Sequence, residues 1–216
     1  MSLRTEGPVG FQTATDNICE AGRLLHSMGM APATSGNYSM RLDDGSFAVT
    51  VSGFHKGRLE PDNVMRVCGE GKALEDKKPS AETLLHSQIY RLFPDANACL
   101  HVHSTAGVIL TRLTRAVIHL KGYEMLKIFP GIHSHDVSVK LLAVENTQDM
   151  QALCDVLEKP LPKVDIPAYI IRNHGFYVWG KDMESCLNMC EAMDHMLSVE
   201  VSIRKLRAHA RNGGTK

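Results

Sequence analysis

The sequence predicts a single α/β domain in which a central, mostly antiparallel sheet is flanked by helices. Three observations carry that reading. Segments with apolar residues at helical spacing interleave with short apolar runs of strand length. Turn residues such as Asp43-Asp44-Gly45 join neighbouring strands closely enough for hairpins, which makes much of the sheet antiparallel. The 216 residues, 44% of them hydrophobic, contain no linker, internal repeat or low-complexity tract that would divide the chain, so 1–216 reads as one domain.

The elements follow in order. Residues 13–30 place Ile18, Ala21, Leu25 and Met28 at helical spacing and end near Gly29 and Pro32. Thr34-Ser35-Gly36-Asn37 is turn-like, and a hairpin with strands Tyr38–Leu42 and Phe47–Val51 comes next. Ser52-Gly53-Phe54-His55-Lys56-Gly57 forms a second glycine-bearing loop. Pro79-Ser80 opens a helix carrying Leu84, Leu85, Ile89 and Leu92, closed by Pro94. Residues 98–103 form a strand, and a helix starts near Ser104. Ala116–Leu120 is a further strand, leading to a short helical piece over Tyr123–Phe129. Strand 140–144 precedes Asn146-Thr147, read as the cap of a helix over Asp149–Leu157. A strand over 168–172 ends in Asn173-His174-Gly175, and another covers 176–179. The last helix begins at about Asp182 and repeats Leu187, Cys190, Met193 and Leu197, with Arg211–Lys216 expected to fray.

Composition excludes several classes of function. The 24 basic and 24 acidic residues cancel without long blocks, which argues against a nucleic-acid or anionic-membrane surface. A few local donors can still hold an acidic small molecule. No apolar run approaches the roughly 18–20 residues of a membrane span, and the first residues lack the apolar core of a secretion signal. Six scattered cysteines without a C-x-x-C pair read as buried free thiols, which fits a reducing, cytoplasmic setting.

The chemistry points to histidine. Alternate residues of a strand share a face, so His101 and His103 project together while Leu100 and Val102 turn toward a core. Two imidazoles on a rigid strand can converge on one cation, and a third ligand would leave an open position. Backbone-bonded histidines are the alternative. A second pair, His133 and His135, lies in a turn-like stretch after Pro130-Gly131 and reads as loop. His174 sits at a strand end beside Gly175, where close approach is possible, though spacing leaves open whether it meets the first pair.

Five motifs occur in one order: Ser35-Gly36-Asn37, Val51-Ser52-Gly53, Pro79-Ser80-Ala81-Glu82, His101-Val102-His103-Ser104 and Asn173-His174-Gly175. In this the chain resembles the class II aldolase/adducin family, over a core of about residues 13–208. Lys121-Gly122-Tyr123-Glu124-Met125-Leu126-Lys127, Val144-Glu145-Asn146-Thr147 and Tyr177-Val178-Trp179-Gly180 resemble its sugar-phosphate dehydratases more than its aldolases. Those dehydratases commonly carry a proline in the strand where Leu141-Leu142-Ala143 stands here.

The resemblance implies a hydro-lyase acting on a ketose 1-phosphate, with one zinc ion per subunit held by His101, His103 and His174. Its alternative is a sugar-phosphate aldolase of the fuculose or rhamnulose type. Adducin-type relatives use the fold as an interaction module without the catalytic cluster, which the retained histidines and acids oppose. Glu124 matches the family position of the proton-transferring acid and base, with Glu82 as a second, competing carboxyl. Asn37, Ser52, Gly53 and Ser80 are the implied phosphate contacts, to which Lys56 could add a charge. Tyr123 and Trp179 read as packing residues, and His86, His119 and His195 as structural. Family members are usually homotetramers with sites near subunit contacts.

Overall fold

The computed structural model describes residues 3–5 and 7–213. In chain order the strands are β1 (Asn37–Arg41), β2 (Phe47–Thr50), β3 (Val64–Val67), β4 (Ala98–Val102), β5 (Ile118–Lys121), β6 (Ser138–Val144), β7 (Ala168–Ile171) and β8 (Gly175–Gly180). The helices are α1 (Phe11–Ser27), α2 (Thr83–Leu92), α3 (Thr105–Leu113), α4 (Met150–Leu157) and α5 (Met183–Gly213). The strands form one eight-stranded sheet in the order β3-β2-β1-β4-β8-β7-β6-β5. All neighbours are antiparallel except β6 and β7, so the expected mostly antiparallel sheet is what forms.

The period of two explains how the sheet is covered. Along β4, Ala98, Leu100 and Val102 join a core with Ile18 and Leu25 of α1, Leu110 of α3 and Met193 of α5. Cys99 faces the other way, into a core with Leu85 and Ile89 of α2 and Leu153 and Leu157 of α4. The central strands are thus apolar on both faces, and truncating a side chain such as Leu100 costs about 2–5 kcal/mol. No described helix is long and apolar enough to cross a membrane. The described cysteines are free thiols, five of them buried.

Several expected boundaries move, each for a local reason. β3 was not expected; it completes the edge by pairing with β2 from Phe47↔Val67 to Thr50↔Val64. α2 begins at Thr83 rather than at Pro79-Ser80. The earlier residues instead extend the sheet: Val51 bridges Pro79, and the Ser80 N–H donates to the Thr50 carbonyl. The cap of α4 is Asp149, which accepts from the Ala152 N–H, not Asn146-Thr147. α5 continues to Gly213, so Arg211 is helical rather than frayed, and residues 214–216 lie outside the described ones.

Candidate metal centre

β4 delivers the first two histidines. His101 is fully buried, and its Nδ1–H donates to the Phe176 carbonyl of β8 at 3.2 Å. That bond fixes the ring and leaves Nε2 with its lone pair outward, as a ligating histidine requires. His103 lies just past the strand, where its backbone N–H donates to the Met30 carbonyl at 2.9 Å. Burial pushes the His101 imidazole down to about 4, the nearby Glu82 only partly opposing it. Burial, then His101 and His174, push His103 down to about 3. Both rings are therefore neutral at pH 7, the form that binds a metal.

His174 arrives on the turn between β7 and β8. Asn173 takes a left-handed conformation at φ 59, and its N–H donates to Thr111 Oγ1. Arg172 anchors the same turn by donating to the carbonyls of Thr114 and Arg115. A Cβ on the next residue, Gly175, would stand 2.1 Å from the Val102 carbonyl oxygen and 2.9 Å from His101 Cε1. Only glycine lets β8 start this close to the end of β4.

The three rings converge. Nε2 of His101 lies 3.1 Å from Nε2 of His103 and 3.4 Å from Nε2 of His174, and one ligand atom from each residue falls within 4.8 Å of the others. Imidazole nitrogens crowded this way suit a borderline cation such as Zn²⁺, with positions left for other oxygens. The residues present fit the expected metal.

Glu82, the residue before α2, completes the cluster. Its Oε2 is 3.4 Å from His101 Nε2 and its Oε1 is 3.4 Å from His174 Nε2. The Tyr177 hydroxyl donates to Oε2, and Asn37 Nδ2 donates to the same oxygen at 3.3 Å. Burial alone would raise this carboxyl, but His101, His174 and the two hydrogen bonds outweigh it and lower it to about 2. Glu82 stays ionised.

The expected phosphate residues gather at the same end of the sheet. Asn37 pairs directly with His101 across the β1–β4 ladder. A Cβ on the preceding Gly36, at φ 80, would meet the His101 carbonyl oxygen at 2.8 Å. Ser52 and Gly53 follow the end of β2, and Ser80 is tied beside them by the Ser52 N–H to Lys78 and Ser80 N–H to Thr50 bonds. Lys56 is buried, and its ammonium donates to the carbonyls of Thr34 and Phe54, joining two of these loops. Burial lowers it to about 8.

Glu124 is not brought to this cluster within the chain. It opens a 3-10 turn over Glu124–Ile128, is exposed, and pairs with Lys127 at 2.6 Å and His135 at 3.2 Å. β5 ends at Lys121 opposite Ser138, the start of β6, whereas the parallel β7 ends toward His174. Glu124 therefore sits at the other end of the sheet, roughly 20 Å away along the strands. His133 and His135 are exposed at that same end.

Two contributors to the centre differ from the sequence reading, in which Tyr177 had no role of its own and His86 was read as structural. Tyr177 stacks on the His101 ring at 4.3 Å between centroids and bonds Glu82. His86, one helical turn beyond Glu82, is fully buried and hydrogen-bonded to Asn37. Only the four-residue spacing from Glu82 hinted at the second, and nothing local hinted at the first.

The fold and the three-imidazole centre together define a protein of the class II aldolase type. The chain belongs to the class II aldolase and adducin N-terminal domain family, whose model matches residues 16–201. It is 43% identical over 198 residues to the methylthioribulose-1-phosphate dehydratase of Methylococcus capsulatus, covering 91% of this chain and 97% of that one. Identity to the enzyme of the same name from Marinobacter nauticus is 41% over 201 residues, with the same coverage. Among solved structures, YgbL of Klebsiella pneumoniae aligns with a TM-score of 0.78 at 22% identity, over 90% of this chain and 91% of that one. The L-fuculose-1-phosphate aldolase of Thermus thermophilus aligns with a TM-score of 0.72, also at 22% identity, over 89% and 95%. At that identity the two structures share the fold.

Proposed function

We propose that the protein is a zinc-dependent hydro-lyase that removes water from 5-methylthioribulose 1-phosphate to give 2,3-diketo-5-methylthiopentyl 1-phosphate, in methionine salvage. One observation carries the reading. The three converging histidines with Glu82 occupy a chain more than 40% identical, over nine-tenths of its length, to enzymes named for that dehydration.

When bound, zinc supplies Lewis acidity that makes the proton beside a ketose carbonyl easier to remove. The chain's residues do the rest. Asn37, Ser52, Gly53 and Ser80 hold the phosphate at the mouth of the centre, and the Lys56 staple keeps two of their loops together. Glu124 takes the proton from the carbon next to the carbonyl and returns it to the hydroxyl leaving the following carbon, so one proton and one hydroxide depart as water. The resulting enol then becomes the diketone.

Glu124 performs this step in the centre of a neighbouring copy, because its own chain holds it at the far end of the sheet. A homotetramer with shared sites follows from the same reading, as does a cytoplasmic location.

The deciding experiment incubates the zinc-loaded protein with 5-methylthioribulose 1-phosphate and weighs the products. Loss of one water supports the dehydratase. Two smaller carbon fragments would mean aldol cleavage, and no turnover would reject the substrate.

A further inference from the structure

Behind Glu82 lies a buried line of polar groups, of which the proposed reaction directly uses only Asn37. Tyr90, Ser39, His86 and Asn37 are all buried between the sheet and α2. The Tyr90 hydroxyl lies 2.8 Å from Ser39 Oγ, and Ser39 Oγ lies 2.7 Å from His86 Nδ1. His86 Nε2 meets Asn37 Oδ1, and Asn37 Nδ2 meets Glu82 Oε2. The segments come from β1 and α2, up to 51 residues apart in sequence.

Chemistry fixes the direction of every link. An ionised carboxylate only accepts hydrogen bonds, so the Asn37 amide must turn Nδ2 toward Glu82 and Oδ1 toward His86. A carbonyl oxygen also only accepts, so His86 carries its proton on Nε2. Its Nδ1 is then the acceptor, the Ser39 hydroxyl donates to it, and the Tyr90 hydroxyl donates to Ser39. Every donor along the line points toward Glu82. A ring with the proton on Nδ1 would face a lone pair to Asn37 and invite the amide to flip its oxygen against the carboxylate.

We propose that His86 is a positioning residue for Glu82, acting through Asn37: the Nε2–H of its neutral ring locks the amide so that Nδ2 faces the carboxylate. The proposal rests on the reading of Glu82 as part of the active centre. It gives Asn37 two duties, since the same amide is a proposed phosphate contact and a freely turning one would serve neither. Aligned donors in a dry interior also strengthen one another, which helps keep Glu82 charged between two imidazoles.

The test has a spectroscopic arm and a kinetic arm. In ¹⁵N-labelled, zinc-loaded protein, a long-range ¹H–¹⁵N spectrum reports the tautomer of His86, assigned by the peaks lost in His86→Gln. The expected result is the Nε2–H form; an Nδ1–H form or a doubly protonated ring overturns the proposal. In the kinetic arm, His86→Leu lowers kcat by about tenfold or more at unchanged zinc content, whereas His86→Gln, whose amide can still donate to Asn37, recovers most of it. Equal kcat for two folded, zinc-loaded variants would show that the donor to Asn37 is irrelevant. Should His86→Leu not fold, a His86→Gln variant weaker than about tenfold below wild type counts against the proposal as well. The tautomer needs no substrate, so absence of turnover by the wild-type protein would count against the proposed reaction alone.

Discussion

Glu82 Oε2 lies 3.4 Å from His101 Nε2, bringing a charged carboxylate against a fully buried imidazole. Residues that surround metal ligands in this way tune affinity by about 10–100-fold. Glu82→Gln keeps the shape and removes the charge, so zinc affinity falls by about that factor while the fold persists. Chelator competition measures it, and an unchanged affinity would separate Glu82 from the metal.

Glu124 is exposed and distant from His101, His103 and His174 of its own chain. Glu124→Gln is expected to bind zinc normally and to lose about 10²–10⁴ of its turnover. His101→Ala is expected to lose zinc. Co-expressing the two inactive chains should restore part of the activity, because some mixed sites pair an intact cluster with an intact Glu124. Mixed oligomers as inactive as either parent would remove Glu124 from the neighbour's site.

Gly175 leaves no room for a methyl group beside Val102 and His101. Gly175→Ala must shift the start of β8, at about 1–3 kcal/mol or more. Thermal unfolding should show a drop of about 2–4 °C per kcal/mol for a domain of this size, together with weaker zinc binding. A wild-type melting curve would contradict the tight approach.

Burial holds the His86 ring down to about 3, against an ordinary 6.5. Between those values the unfolded chain binds a proton that the native ring refuses, so its contribution is complete above about pH 6.5 and is lost as pH falls. The slope from this one group reaches about 1.4 kcal/mol per pH unit. Urea titrations of the metal-free protein at about pH 7 and about pH 5 should therefore differ less for His86→Gln than for wild type. An identical difference in both proteins would place the proton elsewhere.

His133 and His135 form the other His-x-His pair, exposed and next to Glu124. Alanine at either position should leave zinc stoichiometry at its wild-type value. Metal loss on either replacement would overturn the assignment to His101, His103 and His174.

The legible parts of the sequence were those with local causes. The alternation through Leu100-His101-Val102-His103, the cap at Ser104 and the repeat in α5 each state their structure within a few residues. β3 was missed because four residues, Val-Met-Arg-Val, are too short a pattern and owe their pairing to β2. Pro79-Ser80 looked like a helix start, yet Val51 recruits that segment to the sheet, moving the first turn to Thr83. His86 looked ordinary because its partners, Asn37 and Ser39, lie 49 and 47 residues away. The separation of Glu124 from the histidines follows from strand direction, which a motif order does not encode.

The ring stack on His101 does not stop at Tyr177. Tyr177 lies 4.8 Å from Tyr169, and Tyr169 lies 6.2 Å from Trp179, the sole tryptophan of the chain. Excitation absorbed by the two phenols passes efficiently over such distances to the indole. The protein thus carries an internal light path: ultraviolet energy taken up by phenols beside a candidate ligand emerges at a single indole, two rings away from His101.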